Sequence, residues 1–151
     1  MSRKVLIACS PGGHLVQLWW LADWWRTWER VWVTLDGPDV AGRLAGERVI
    51  LAHGPTNRSV VNLARNLRLA RRVLRVERPD LVIGNGAGVT VPFFWAACAM
   101  RIPTVFVEVY DRIDAPSLSG RLVRPIADRI VLQWEAQRAF YPEGVVLGPV
   151  R

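Results

Sequence analysis

Lys4-Val5-Leu6-Ile7-Ala8-Cys9-Ser10-Pro11-Gly12-Gly13-His14-Leu15 reads as a strand, a glycine turn and the first turn of a helix. Its apolar residues run without alternation, as in a parallel strand covered on both faces. Two glycines let the backbone approach a ligand closely, and the start of a helix offers free N–H groups and the positive end of a dipole. Such a turn suits a phosphate or diphosphate, or it is simply a tight corner. It matches neither the G-x-G-x-x-G dinucleotide fingerprint nor the G-x-x-x-x-G-K-[ST] phosphate loop, which counts against nicotinamide enzymes and P-loop kinases.

The same alternation continues outward from this stretch. Strands are predicted at residues 4–9, 30–35, 48–52, 80–85, 104–109, 129–133 and 145–147, and helices at 14–28, 58–77, 91–100 and 117–127. Alternating β and α elements predict an α/β fold, a Rossmann-like doubly wound parallel sheet. Ligands of such sheets bind at the carboxyl ends of the strands, so the loops there are the candidate site. With 151 residues and no linker or repeat, residues 1–151 are expected to be one domain.

Residues 81–100 carry no charge and match a membrane span in length, but Gly84, Gly86, Gly88 and Pro92 suit a strand, a turn and a buried helix better. No secretory leader is read at the start, and a cytoplasmic protein is expected. Cys9 and Cys98 lie in apolar runs without metal-ligand spacing and are expected to be buried free thiols.

The net charge of +7 is local: seven arginines stand against one acid, Glu77, between residues 57 and 79. Along the predicted helix there, Leu63, Leu67, Ala70 and Leu74 should face the core, and Arg65, Arg68, Arg72 and Arg75 the outside. That face suits an anionic membrane surface, or is a solvated helix. No aromatic residues interleave with the arginines, so nucleic acid is not an expected partner. On the first helix, Leu15, Leu18, Trp19, Ala22 and Trp25 form a core stripe, while Trp20, Trp24 and Trp28 form a second, suited to an outside contact.

Three strand tips carry chemistry. The first ends in Ser10, Gly12, Gly13 and His14, whose imidazole can take a proton near neutral pH. The fourth ends in Asn85-Gly86-Ala87-Gly88-Val89-Thr90, a second glycine-rich candidate cradle. The fifth ends in Glu108, Asp111, Arg112, Asp114, Ser117 and Ser119, which either cap a helix through ion pairs and Ser117 or place Glu108 or Asp111 on sugar hydroxyls or on His14. His53 is read as a turn residue.

Ser-Pro-Gly-Gly-His-Leu at 10–15, Gly-Asn-Gly-Ala-Gly-Val at 84–89 with Pro92-Phe93-Phe94, the segment from Glu108 to Gly120, Gln133-Trp134-Glu135 and Gly148-Pro149 together resemble a known family. It is the membrane-side subunit of the split UDP-N-acetylglucosamine transferase of dolichol-linked glycan assembly, with bacterial relatives in capsular and exopolysaccharide synthesis. The resemblance implies the acceptor-side lobe, equivalent to the amino-terminal half of a GT-B glycosyltransferase. A separate small subunit would bind the UDP-sugar donor, and the acceptor would be a polyprenyl-diphosphate-linked glycan. It further implies inverting transfer without a metal or other cofactor, with His14, Asp111 or Glu108 as base. Gly12, Gly13 and His14 would lie beside the acceptor diphosphate, with residues 86–90 opposite. The eukaryotic subunit's amino-terminal anchor has no counterpart here, so peripheral attachment to the cytoplasmic membrane face is expected through the Trp20/Trp24/Trp28 stripe and the arginine helix. The alternative is a non-catalytic subunit that docks and activates a partner enzyme at the membrane.

Overall fold

The computed structural model describes residues 2–149. Its strands are β1 (Lys4–Ala8), β2 (Glu29–Thr34), β3 (Val49–Leu51), β4 (Leu81–Asn85), β5 (Thr104–Val107), β6 (Arg129–Leu132) and β7 (Val145–Val146). They form a seven-stranded sheet in the order β3-β2-β1-β4-β5-β6-β7, with every pairing parallel. Strand order reverses at the β1/β4 seam, where Val5 lies opposite Leu81 and Ala8 opposite Gly84. That seam is the topological switch point, and its carboxyl end is where a Rossmann-like sheet opens a crevice. All seven predicted strands are present.

The helices are α1 (Gly13–Trp19), α2 (Ala22–Trp25), α3 (Val40–Arg43), α4 (Val60–Glu77), α5 (Thr90–Ala99) and α6 (Leu118–Val123), followed by a 3₁₀ turn at Glu135–Ala139. They cover both faces of the sheet, because the strand side chains alternate. Leu6, Ala8, Val82, Phe106 and Leu132 pack with α4 and α5, whereas Val5, Ile7, Trp32, Ile83 and Val107 pack with α1 and α2. The uncharged run of residues 81–100 becomes β4, a turn and α5, whose Phe93 and Phe94 are fully buried. Each such phenyl ring contributes roughly 1.5–3 kcal/mol of burial. Among the described residues no helix is long and apolar enough to cross a membrane.

The single helix predicted over residues 14–28 is instead broken after Trp19. The indole Nε1 of Trp25 donates to the main-chain oxygen of Leu18 at 2.9 Å, satisfying a carbonyl that a continuing helix would have used. The break turns Trp25 inward, where its ring packs against those of Trp19 and Trp32. Trp20 and Trp24 stay exposed, as the outer stripe predicts, and Trp28 packs its ring against that of Trp24 at 5.5 Å but is less exposed. It is half-buried, with the Arg3 guanidinium 5.5 Å above its ring.

In α4 the four predicted core residues all pack on the core, whose face is wider than predicted. Leu69, Ala70, Val73 and Leu74 are buried together with Asn62 and Asn66, while Leu63 and Leu67 are only partly buried. The two asparagines tolerate burial because each has a partner. Asn66 pairs with both main-chain groups of His53, and Asn62 donates to the carbonyl of Pro55. Ser59 caps the helix by accepting from the Asn62 N–H at 3.2 Å, and Glu77 at the far end pairs with Lys4 and Arg48.

The cysteine expectation holds for one residue only. Cys9 is buried, but Cys98 sits on the outer face of α5 and is exposed. The residues around Cys98 are apolar in sequence, yet its own position on the helix faces away from the core.

Candidate functional site

The tips of β1, β4 and β5 meet at the carboxyl edge of the sheet. Asn85, at the end of β4 and fully buried, ties two of them by donating its side-chain amide to the main-chain oxygen of His14 at 2.8 Å. Thr90 adds a second tie through its hydroxyl, which donates to the Ala8 carbonyl at 3.2 Å. Gly84 has to be glycine for this packing, since a Cβ there would stand 2.5 Å from Thr90 Cγ2. Thr90 is therefore a latch between β1 and the start of α5, enclosed by protein and not a ligand contact as predicted.

Two cavities open along this edge. The smaller, of about 350 Å³, is lined by Gly13, His14, Gln17, Val109, Tyr110 and Asp111. It brings the start of α1 and the loop after β5 face to face, so His14 and Asp111 share one space. Burial holds the His14 imidazole below its ordinary pKa, while the negative charges of Asp111 and Glu108 pull the other way. Among the described residues its Nδ1 is enclosed without a protein partner.

The larger cavity, of about 480 Å³, lies on the other side of the β5 loop. Gly86 and Gly88 form its floor, Arg58 and Arg112 supply positive charge, and Val60, Leu118 and Leu122 stand exposed at its rim. Neither arginine has a carboxylate partner among the described residues. The two glycines fit close neighbours: a Cβ would meet Val109 at 2.9 Å from Gly86, and the Thr56 hydroxyl at 2.8 Å from Gly88. Ala87 is buried behind them.

The first glycine turn differs from its predicted role. Gly12 has φ +83, which is why glycine is needed there, but its N–H donates to Asp39 Oδ2 at 2.9 Å. A carboxylate of the chain itself occupies the donor expected to hold a phosphate, and its charge opposes a second anion. Gly13 is open to the His14 cavity, whereas Ser10 is half-buried and lines neither cavity. Asp39, five residues beyond the end of β2, carried no signal in sequence because only the fold brings that loop to the β1 tip.

Glu108 is also corrected. It is fully enclosed, and its carboxylate accepts from the Val109 N–H at 2.9 Å, the Ser117 N–H and Oγ at 3.1 Å each, and the Tyr141 hydroxyl at 2.5 Å. With its oxygens so engaged, Glu108 shapes the β5 loop and does not reach a substrate. Ser117 in turn caps α6, its Oγ accepting from the Gly120 N–H at 3.0 Å. Ser117 and Ser119 contribute to the wall of the larger cavity but are themselves nearly buried.

Two buried glutamines complete the loop's support. The Gln137 side chain accepts from the Gln133 N–H and donates to the carbonyls of Val109 and Arg112. The Trp134 indole donates to the Tyr110 carbonyl at 2.8 Å. In the sequence Gln133-Trp134 stands out only through the resemblance and Arg58 only as one of seven clustered arginines, while Gln137, Gln17 and Tyr141 carry no local signal.

Elsewhere, Arg65, Arg68, Arg72 and Arg75 are exposed, without an ion pair among the described residues. Trp20 and Trp24 border a third cavity, of about 550 Å³, also lined by Ile83, Val105, Val107 and Val131 of the sheet. No group of three or more His, Cys, Asp or Glu residues that could hold a metal occurs among the described residues.

Comparison with known proteins places this arrangement in context. The mouse UDP-N-acetylglucosamine transferase subunit ALG14 is 36% identical over 84 residues, covering 52% of this chain and 38% of the mouse protein. The UDP-N-acetylglucosamine–N-acetylmuramyl-(pentapeptide) pyrophosphoryl-undecaprenol N-acetylglucosamine transferase of Halalkalibacterium halodurans is 31% identical over 90 residues, covering 60% of this chain and 24% of that enzyme. MurG of Acinetobacter baumannii superposes over 99% of this chain and 46% of its own, with a TM-score of 0.79 and 16% identity, a likeness of fold. The matches thus span less than half the length of these relatives. The profile of the family described as oligosaccharide biosynthesis protein Alg14 like matches residues 47–150, well over half of the sequence, and the chain belongs to that family.

Proposed function

We propose that this chain is the acceptor-binding lobe of a UDP-N-acetylglucosamine-type glycosyltransferase completed by a separate donor-binding subunit. The observation that carries this reading is the pair of adjoining cavities at the β1/β4 switch point. One holds His14 facing Asp111, and the other joins two unpaired arginines to an apolar rim. A lipid diphosphate sugar has this sequence of chemistry: a tail for Val60, Leu118 and Leu122, a diphosphate for Arg58 and Arg112, and a sugar for the His14 cavity. Family membership and the UDP-N-acetylglucosamine transferases among the relatives support the same substrate class.

In the proposed inverting reaction, His14 takes the proton of an acceptor hydroxyl as that oxygen bonds to the anomeric carbon of the donor sugar. The bond from that carbon to the UDP oxygen breaks, and UDP leaves with the electron pair. Asp111, across the cavity, stabilises the imidazolium that forms and is the alternative base. Glu108 positions the loop that carries Asp111. The donor itself contacts the partner subunit, for which the apolar groove beside Trp20 and Trp24 is a fitting surface. Exposed Val60 and Val61, followed along α4 by Arg65, Arg68, Arg72 and Arg75, suit peripheral attachment to an anionic membrane. Capsular or exopolysaccharide assembly is the setting this reading favours.

The test is transfer from UDP-N-acetylglucosamine to a short-chain prenyl diphosphate sugar, by the purified chain alone and with a donor-lobe subunit. No turnover alone and turnover with the subunit are expected, with His14→Ala lowering kcat by about 10²–10⁴. Turnover by the chain alone would overturn the two-subunit reading. The second reading, a membrane-docking subunit without a catalytic role, draws on Asp39 filling the Gly12 donor. Unimpaired transfer by a Gly12/His14 double variant would establish it instead.

A further inference from the structure

Gln17 lies one turn after His14 on α1 and lines the same cavity as His14 and Asp111. Its amide orientation follows from a chain of obligate hydrogen bonds. The main-chain oxygen of Glu108 can only accept, so the Gln133 group 3.0 Å from it has to be the Nε2 amide. The same Nε2 stands 2.8 Å from the Gln17 side chain and can only donate, so Gln17 presents Oε1 to it. Gln133 is buried at 1% exposure and cannot turn over without leaving that carbonyl against an oxygen. The Nε2 of Gln17 is thereby directed away from Gln133, with no partner among the described residues.

We infer that Gln17 is a substrate-contact residue whose side-chain N–H groups donate to an oxygen of the acceptor sugar, a hydroxyl or an acetamido carbonyl, beside the hydroxyl that reacts. This deepens the proposed function and rests on it. The diphosphate belongs to the Arg58/Arg112 cavity on the far side of the β5 loop, so Gln17 reads the sugar and not the phosphates. Residues 108–112 separate the two, and the glutamine pair ties α1 to that divider.

The test is direct binding by the full chain of two probes: a short-chain prenyl diphosphate carrying N-acetylglucosamine, and the same prenyl diphosphate without sugar. Two variants separate contact from scaffolding. Gln17→Met removes both the bond to Gln133 and the cavity donor. Gln17→Glu keeps an oxygen for Gln133 and removes the donor, and the sugarless diphosphate probe reads out any effect of the charge it adds. Both variants should weaken the sugar-bearing probe by about tenfold, the scale of one lost hydrogen bond, and leave the sugarless probe within about twofold. Wild-type affinity of Gln17→Glu for the sugar-bearing probe would reduce Gln17 to a scaffold and overturn the inference. Equal weakening for both probes would overturn it too. Failure of the wild-type chain to bind either probe would instead overturn the proposed function, and this inference with it.

Discussion

The Tyr141 hydroxyl donates to Glu108 Oε2 at 2.5 Å, joining a residue beyond the 3₁₀ turn to the end of β5, both out of contact with solvent. Burial, and then the neighbouring carboxylate, push the Tyr141 phenol well above its ordinary range, so it stays a donor. The pair holds the Ser117–Gly120 turn from behind. A Cβ on Gly120 would stand 2.0 Å from the Tyr141 oxygen and 2.7 Å from Glu108 Oε2. Tyr141→Phe is expected to cost roughly 1.5–3 kcal/mol, the range for a hydrogen bond to a charged group, and Gly120→Ala at least as much. Denaturant titration measures both. Changes under about 0.5 kcal/mol, the size of a neutral surface substitution, would mean that the lock is not structural.

His14 sets a pH dependence with a defined sign. Its pKa in the folded protein lies below the ordinary 6.5 because burial disfavours the charged ring. With His14 as the proposed base, its neutral form persists into mildly acidic solution, and the acid limb of kcat/KM for the proposed two-subunit enzyme is expected below pH 6.5. Stability follows the same direction. The unfolded chain binds the proton more readily, so this contribution is present above the unfolded value and is lost as pH falls through the folded one. His14→Gln should remove both effects, and an unchanged acid limb in that variant would assign it to another group.

Asn85 holds the β1 tip from the end of β4, and its substitution should show in both stability and activity. Asn85→Ala leaves the His14 carbonyl without its donor in a buried setting, at a cost of roughly 1–3 kcal/mol. Turnover should fall even at temperatures where the variant is fully folded, because His14 is no longer fixed opposite Asp111. Thermal unfolding together with single-temperature kinetics separates the two effects.

The cysteines predict a simple count. Cys9 is buried, and burial, the largest influence, pushes its thiol up to about 12, while Cys98 is exposed. At pH 8 an aromatic disulfide reagent should therefore titrate one thiol promptly in the native protein and two after denaturation. Two prompt equivalents would mean that the β1 end opens readily.

Membrane attachment is checked by sedimentation with vesicles. Val60→Ser/Val61→Ser and Leu118→Ser should weaken binding at all salt concentrations, because they remove exposed apolar area that enters the bilayer on attachment. Arg65→Gln/Arg68→Gln/Arg72→Gln/Arg75→Gln should weaken it mainly at low salt and on anionic vesicles, since the attraction of exposed charges is screened. Equal binding of every variant would remove this face from the proposal.

Periodicity alone determined a great deal here. Continuous apolar runs at 5–8, 81–83 and 105–107 read as parallel strands covered on both sides. Their alternation with amphipathic segments required a parallel sheet with its site at the strand tips, and both properties are local to a few residues. The tips that carry His14, Gly86 and Asp111 were legible for the same reason. What each polar residue does there was decided by tertiary structure, because burial and hydrogen-bond partners come from segments distant in sequence. Asp39 crosses 27 residues to take the Gly12 N–H, Tyr141 crosses 33 to seal Glu108, and Gln133 crosses 116 to orient Gln17. An acid, a serine or a glutamine looks the same in sequence whether it faces a substrate or a buried amide, and only the packed fold supplies the neighbours that tell the two apart.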